Sequence, residues 1–263
     1  MLDPARQDLI QISYSDLDAY HRCARRYYYE KRLRMGALPP LSTTAVKRGT
    51  LMHMLLEGAR DGRINKTQAA VLFAREQLSD PGEQEALCRA TQRVLDSEVY
   101  AQICAGADLR RERQFYLALR DADRPTRFLK GYIDIQSTRK DGSLLILDYK
   151  SGTREDAKET DYEDQARCYA LIGLADGHDA VEARFIRPEV FAQSGSAQDD
   201  PAPQVFVLGP YTHDDYSAIE SGLIASIHEM ERTGPQSPLA RDRFTCEGCP
   251  VSHSACPGVA RAK

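Results

Sequence analysis

The 263-residue sequence has no apolar run approaching the ~20 residues that a membrane-spanning helix needs. Its opening residues, Met-Leu-Asp-Pro-Ala-Arg-Gln-Asp, carry no signal-peptide core. Both absences point away from a membrane and from export, so the expectation is a cytoplasmic protein. There is no internal repeat, and no Gly-x-x-x-x-Gly-Lys-Ser/Thr loop, so the chain carries no nucleotide-driven motor of its own. Nor is there a basic excess. The net charge of −4 leaves room for a nucleic-acid path, since such a path needs a local basic stripe rather than a basic protein. Without export, the seven cysteines disfavour a disulfide framework and favour metal ligation. What is present is ordinary for a soluble globular chain, with 42% hydrophobic and 28% charged residues, and long enough to bury a full core as one domain.

The richest stretch is Gly131-Tyr132-Ile133-Asp134, followed after Lys140-Asp141-Gly142 by Leu145-Ile146-Leu147-Asp148-Tyr149-Lys150. It reads as a β-hairpin, with Asp134 late in its first strand and Asp148 and Lys150 on one face of the second. Asp-x-Lys on an exposed strand is also ordinary surface chemistry. Here, however, Asp148 closes the apolar run Ser-Leu-Leu-Ile-Leu, which predicts a partly desolvated carboxylate that needs a partner or a metal.

Around the hairpin, Ser15 with Asp18 predicts a helix start, and helical spacing continues through Tyr20, Ala24 and Tyr27 to about Gly36. Further helices are expected over 43–60, 67–79, 83–104, 160–175 and 214–232, and strands over 113–119, 129–136, 144–150, 181–187 and 204–209. The polar stretch Glu189 to Pro203 reads as a loop insertion. Helices, then a mostly antiparallel sheet, then helix again indicate an α/β domain. Among the cysteines, Cys246, Cys249 and Cys256 cluster near the C-terminus and Cys23 stands alone. Cys88, Cys104 and Cys168 fall in helical patterns as small hydrophobes.

Six features occur in order: the Tyr20/Cys23 helix, Gly49-x-x-x-His53, Asp134, Asp148-x-Lys150, Gln165-x-x-x-Tyr169, and Cys246-x-x-Cys249 with Cys256. With these the chain resembles the RecB-like nucleases of the PD-(D/E)XK superfamily. More narrowly it is similar to the iron–sulfur members, the AddB C-terminal domain and the CRISPR-associated spacer-acquisition nucleases. The resemblance runs from about Ser13 to Cys256, with 60–110 and 188–203 outside it. It implies a single nuclease domain over 1–263 with a restriction-endonuclease-like core, a mixed, mostly antiparallel sheet flanked by helices, and a helical insertion at about 60–109.

That resemblance further implies Mg²⁺ or Mn²⁺ on His53, Asp134, Asp148 and the Tyr149 main-chain carbonyl, with Lys150 as catalytic lysine. Gln165 and Tyr169 would flank the active site and contact DNA, and Glu112 would have a supporting role. Out of that context, His53 with Glu57 at i+4 could be a helix-face pair, and Gln165 and Tyr169 an ordinary helix surface and a core aromatic. For Cys23, Cys246, Cys249 and Cys256 the resemblance implies a structural [4Fe–4S] cluster stapling the N-terminal helix to the tail. A zinc site, with His21 or His253 as substitute ligands, is the other reading. In the cross-link model, closing so long a loop stabilises by roughly 5 kcal/mol.

The arginines 22, 25, 26, 32 and 34, with Lys31, interleave with Tyr27, Tyr28 and Tyr29. That pattern suits either a single strand of DNA or a solvated helix face with core tyrosines. The function expected is a metal-dependent DNA exonuclease acting on single-stranded ends or tails, in repair, recombination or CRISPR adaptation, alongside a separate helicase or adaptation proteins. The alternatives are a non-catalytic DNA-end-binding or scaffold subunit and a restriction-type endonuclease.

Overall fold

The structure is a computed structural model. It describes residues 11–35, 43–59, 61–121, 125–150, 157–188 and 202–238, together with Cys246, Cys249, Val251 and Cys256, and residues 43–47 by their helical backbone alone. Most of the expected insertion at 189–203 and His253 lie outside the described residues. The chain divides into two compact units. One combines Met1–Leu41, Gln114–Gly131 and Asp214–Lys263, and the other combines Ser42–Arg113 and Tyr132–His213.

The larger unit holds helices α3 (Thr43–Glu57), α4 (Lys66–Arg75), α5 (Pro81–Leu95) and α6 (Glu98–Cys104). Polar caps set their starts: the Asn65 side chain accepts from Gln68 N, and Asp80 caps α5 with Pro81 in the first turn. The stretch expected as one helix over 83–104 is two. At the junction, Ser97 Oγ accepts from Tyr100 N at 3.2 Å and opens a new helix.

Strand β2 (Ala107–Leu119) pairs with β3 (Arg127–Thr138), and each passes from one unit to the other. Next, β3 pairs antiparallel with β4 (Leu144–Tyr149) through the turn at Arg139–Ser143, where Gly142 adopts φ +83°. From β4 the chain crosses through α7 (Glu163–Ala175) to β5 (Ala180–Arg187), which lies parallel to β4, and β6 (Gln204–Thr212) closes antiparallel on β5. The sheet is therefore mixed, with two parallel and two antiparallel registered pairings once β1 is included.

All six residues of β4 are buried, which fits a central strand covered on both faces. Leu51, Leu55 and Leu56 of α3 pack with Ile135, Leu147 and Ile186 in one apolar core. Helix α7 approaches the sheet at Gly173, where a Cβ would meet Val181 Cγ2 at 2.5 Å and Leu144 Cδ2 at 2.8 Å. No larger residue fits there without shifting the Val181 and Leu144 side chains.

In the smaller unit, β1 (Gln11–Ser13) runs parallel to the start of β3, followed by α1 (Tyr14–Arg22), α2 (Ala24–Tyr27) and a π-helical turn over Tyr28–Arg32. The N-cap of α1 is Ser13, two residues before the expected Ser15. Ser13 Oγ accepts from Asp16 N, and Asp16 accepts from Ser13 N at 3.0 Å, a complete capping box. The helix breaks at Cys23, whose sulfur accepts from Arg26 N and starts α2. Helix α8 (His213–Glu231) carries Glu231, which with Asp121 satisfies the buried guanidinium of Arg127.

Candidate active site

Five of the side chains singled out by sequence meet in the larger unit around the ends of β3 and β4. Because Ile135 pairs with Leu147, Asp134 and Asp148 face each other across the hairpin. Asp148 is 4% exposed and almost fully engaged. Its Oδ2 accepts from Gln165 Nε2 at 2.7 Å and from the Tyr169 hydroxyl at 2.6 Å, and Lys150 Nζ lies 2.7 Å from its Oδ1. Gln165 also accepts from Lys150 Nζ through Oε1 at 2.5 Å and donates to Tyr169 Oη at 2.7 Å. A glutamine can do both because it carries an acceptor and two donors, and spacing four apart puts Gln165 and Tyr169 on one face of α7. Beside this network Phe185 and Tyr162 stack at 4.8 Å, and Lys150 Nζ stands 5.3 Å and 5.9 Å from their ring centres.

A second cluster adjoins the first. Among the described residues, one group of three potential ligand side chains has its donor atoms within 4.8 Å of one another: His53, Glu112 and Asp134. His53 reaches in from α3, and its Nε2–H can donate to the Tyr149 carbonyl at 3.0 Å. In that tautomer Nδ1, 3.7 Å from Asp134 Oδ2, keeps a lone pair for a cation. Asp134 Oδ2 accepts from Tyr149 N at 2.7 Å. The Tyr149 carbonyl, expected as a metal ligand, is thus engaged by the His53 ring.

Glu112 has greater prominence than the sequence indicated. It sits in β2 at φ +48°, a left-handed conformation that a non-glycine residue adopts at a cost of order 1–3 kcal/mol.

The electrostatics show the strain of gathering these acids. Burial pushes Asp134 well above the usual carboxylate range, Asp148 and Glu112 add to it, and the Tyr149 amide and Lys150 oppose it. Glu112 is raised first by desolvation, then by Glu57 and Asp148. His53 is lowered, chiefly by burial, which favours the neutral imidazole a metal requires. Burial also keeps the Tyr169 phenol protonated, so it remains a donor to Asp148. A divalent cation is the natural relief for carboxylates crowded beside a neutral histidine.

The four cysteines of the expected cluster all belong to the smaller unit. Cys23 and Cys249 are buried, Cys246 and Cys256 are half-buried, and none of the seven cysteines is in a disulfide. Burial pushes the Cys249 thiol up, and the neighbouring Cys23 adds to that. Among the described residues no three of these sulfurs lie within 4.8 Å of one another. The basic helix is largely engaged with its own unit. Arg22 pairs with Asp18, Arg26 with Glu30 and Lys31 with Asp16, while Arg25 donates to the Ser237 carbonyl. Tyr27 is core, as expected.

The hairpin acids, the lysine beside them and the glutamine–tyrosine helix form one hydrogen-bonded cluster next to the potential metal ligands. The family model of the PD-(D/E)XK nuclease superfamily matches residues 11–257, and the chain belongs to that superfamily. Its fold, a mixed sheet flanked by helices, is restriction-endonuclease-like. Members of this superfamily use divalent metals, and a nuclease of this fold implies DNA as substrate. Among solved structures, one described as "Crystal structure of SSO0001" is similar at 15% identity and a TM-score of 0.46, covering 96% of this chain and 88% of its own. No curated protein matches the sequence. No helix among the described residues is long and apolar enough to cross a membrane.

Proposed function

We propose that the protein is a Mg²⁺- or Mn²⁺-dependent exonuclease acting on single-stranded DNA ends or tails. The observation that carries this reading is the convergence of His53, Glu112 and Asp134 next to the Asp148–Lys150–Gln165–Tyr169 network. The donor set of one imidazole nitrogen and carboxylate oxygens fits these hard or borderline cations. His53, Glu112 and Asp134 would hold the metal, with Asp148 closing the set from across the hairpin. When bound, the cation supplies Lewis acidity at the scissile phosphate and a more acidic water.

The chain's own residues supply the rest. Lys150 places a positive charge where negative charge develops, and orients the attacking water. Gln165 fixes both Lys150 and Asp148, so the two cannot drift independently. Tyr169 holds Asp148 from below with a phenol that burial keeps protonated. End-labelled and closed circular single-stranded DNA, incubated with Mg²⁺ or Mn²⁺, test the reading. Loss of label from the linear strand with the circle intact is the expected result, and cutting of the circle would refute exonuclease action.

The RecB-like, iron–sulfur subtype is part of this proposal, as are a cytoplasmic site of action and a role in repair, recombination or CRISPR adaptation beside a separate helicase or adaptation proteins. Its support is the order of the cysteines and the burial of Cys249 beside Cys23. Cys23, Cys246, Cys249 and Cys256 would hold a [4Fe–4S] cluster as a structural staple, with zinc as the competing occupant. Iron and sulfide analysis of anaerobically purified protein separates the two. Stoichiometric zinc without iron would overturn the cluster assignment.

A further inference from the structure

One side chain at the site has no role in the network above. Tyr132 lies two residues before Asp134 on β3, so both side chains project from the same face of that strand, one pleat repeat or about 6.6–6.8 Å apart. Its neighbours on the opposite face, Ile133 and Ile135, are completely buried, whereas Tyr132 is 58% exposed. A ring left in water adds nothing to the core, so burial does not account for it. The Tyr132 carbonyl lies 3.3 Å from the Tyr169 hydroxyl, the same hydroxyl that donates to Asp148. The Tyr132 main chain thus lies beside the hydroxyl that serves Asp148, and its side chain shares a strand face with Asp134.

We infer that Tyr132 is a stacking platform for an unpaired nucleobase, the base carried by a nucleotide next to the phosphate that meets Asp134. The inference rests on the nuclease reading above and deepens it toward single-stranded substrate. Three physical points support it. An aromatic ring offers a π-face to any base, so it adds affinity without demanding sequence. A base inside a duplex has both faces covered by its neighbours, so a single stacking ring selects unpaired ends. The surroundings, with Glu112, Asp134 and Asp148, repel phosphates until a cation is present. A neutral ring gives the strand a hold there that does not depend on charge.

The test uses the full chain as wild type and as Tyr132→Ala, Tyr132→Phe and Tyr132→Trp. The substrates are two single-stranded oligonucleotides that differ in one abasic residue next to the cleaved linkage. A companion oligonucleotide carries 2-aminopurine at that position and is bound without cleavage in Ca²⁺. Tyr132→Ala is expected to raise KM about 5- to 150-fold on the intact strand, the range reported for losing one base–aromatic stack. It should change little on the abasic strand. Tyr132→Phe and Tyr132→Trp should keep wild-type KM and the quenching of 2-aminopurine, and Tyr132→Ala should lose that quenching. Equal losses on both strands, or no loss on either, with wild type cleaving normally, would overturn the stacking role alone. Wild-type protein that neither cleaves nor quenches would overturn the nuclease reading and this inference together.

Discussion

Two buried tyrosines in the larger unit allow a matched experiment on the site. The Tyr169 hydroxyl donates to Asp148 Oδ2 at 2.6 Å and accepts from Gln165, while the Tyr149 hydroxyl is buried with no hydrogen bond among the described residues. Tyr169→Phe removes a donor from a carboxylate that is 4% exposed and strips Gln165 of an acceptor. A hydrogen bond to a charged group contributes about 1.5–3 kcal/mol, so the variant should lose that much stability in metal-free urea denaturation at neutral pH. In an Asp148→Asn background the same change removes a neutral hydrogen bond, so the loss should shrink to about 0.5–1.5 kcal/mol. The double-mutant cycle isolates the charge-assisted part. Tyr149→Phe should be neutral or slightly stabilising, because a buried hydroxyl without a partner carries only a desolvation cost. Equal destabilisation by Tyr169→Phe and Tyr149→Phe, or a Tyr169 effect unchanged in the Asp148→Asn background, would refute a charge-assisted bond to Asp148.

Other perturbations probe the remaining parts. Asp148→Ala or Lys150→Ala should abolish Mg²⁺-dependent DNA cleavage while the circular dichroism spectrum stays native. A variant with wild-type cleavage would remove that residue from the machinery. Glu112→Gln should weaken Mn²⁺ binding by at least about tenfold in calorimetry, since a carboxylate ligand becomes a neutral amide. Unchanged affinity would place the metal elsewhere. Gly173→Ala should cost about 1–3 kcal/mol by overpacking α7 against Val181 and Leu144, read from urea midpoints. Burial raises Glu182, but hydrogen bonds from Arg139 and Arg184 outweigh it and leave its pKa below the usual value. Its contribution to stability is therefore present above the unfolded carboxylate pKa and lost as pH falls through the lower folded value. Glu182→Gln should flatten the acid limb of stability against pH, and an unchanged limb would refute this.

What sequence made legible was whatever is local to one element. The Asp134/Asp148 pair and Lys150 could be placed because a tight turn and strict alternation fix which face each residue takes. The Gln165/Tyr169 pairing followed from spacing four apart on one helix. What escaped depends on backbone departures that alternation does not encode. Glu112, expected only in a supporting role, stands beside His53 and Asp134 at a positive φ, and nothing in the polar run Arg110-Arg111-Glu112-Arg113 marks that backbone conformation. The engagement of the Tyr149 carbonyl by His53 joins residues almost a hundred positions apart, a tertiary choice. Likewise Ser13 with Asp16 caps α1, although Ser15 with Asp18 offers the same spacing, and two serines so close cannot be ranked by propensity. For the basic helix the pattern left a single-strand path and a solvated face both open, and two of its arginines, Arg22 and Arg26, have acidic partners four residues away.

In the proposed mechanism Asp134, with His53 and Glu112, holds the metal that drives hydrolysis. The most direct measurement is the cleavage rate of an end-labelled single strand as a function of added Mn²⁺, for wild type and Asp134→Asn side by side. Wild type should show a saturable rise and complete loss in EDTA, and Asp134→Asn should not cleave at any concentration. Cleavage by wild type in EDTA, or a wild-type curve from Asp134→Asn, would contradict this mechanism.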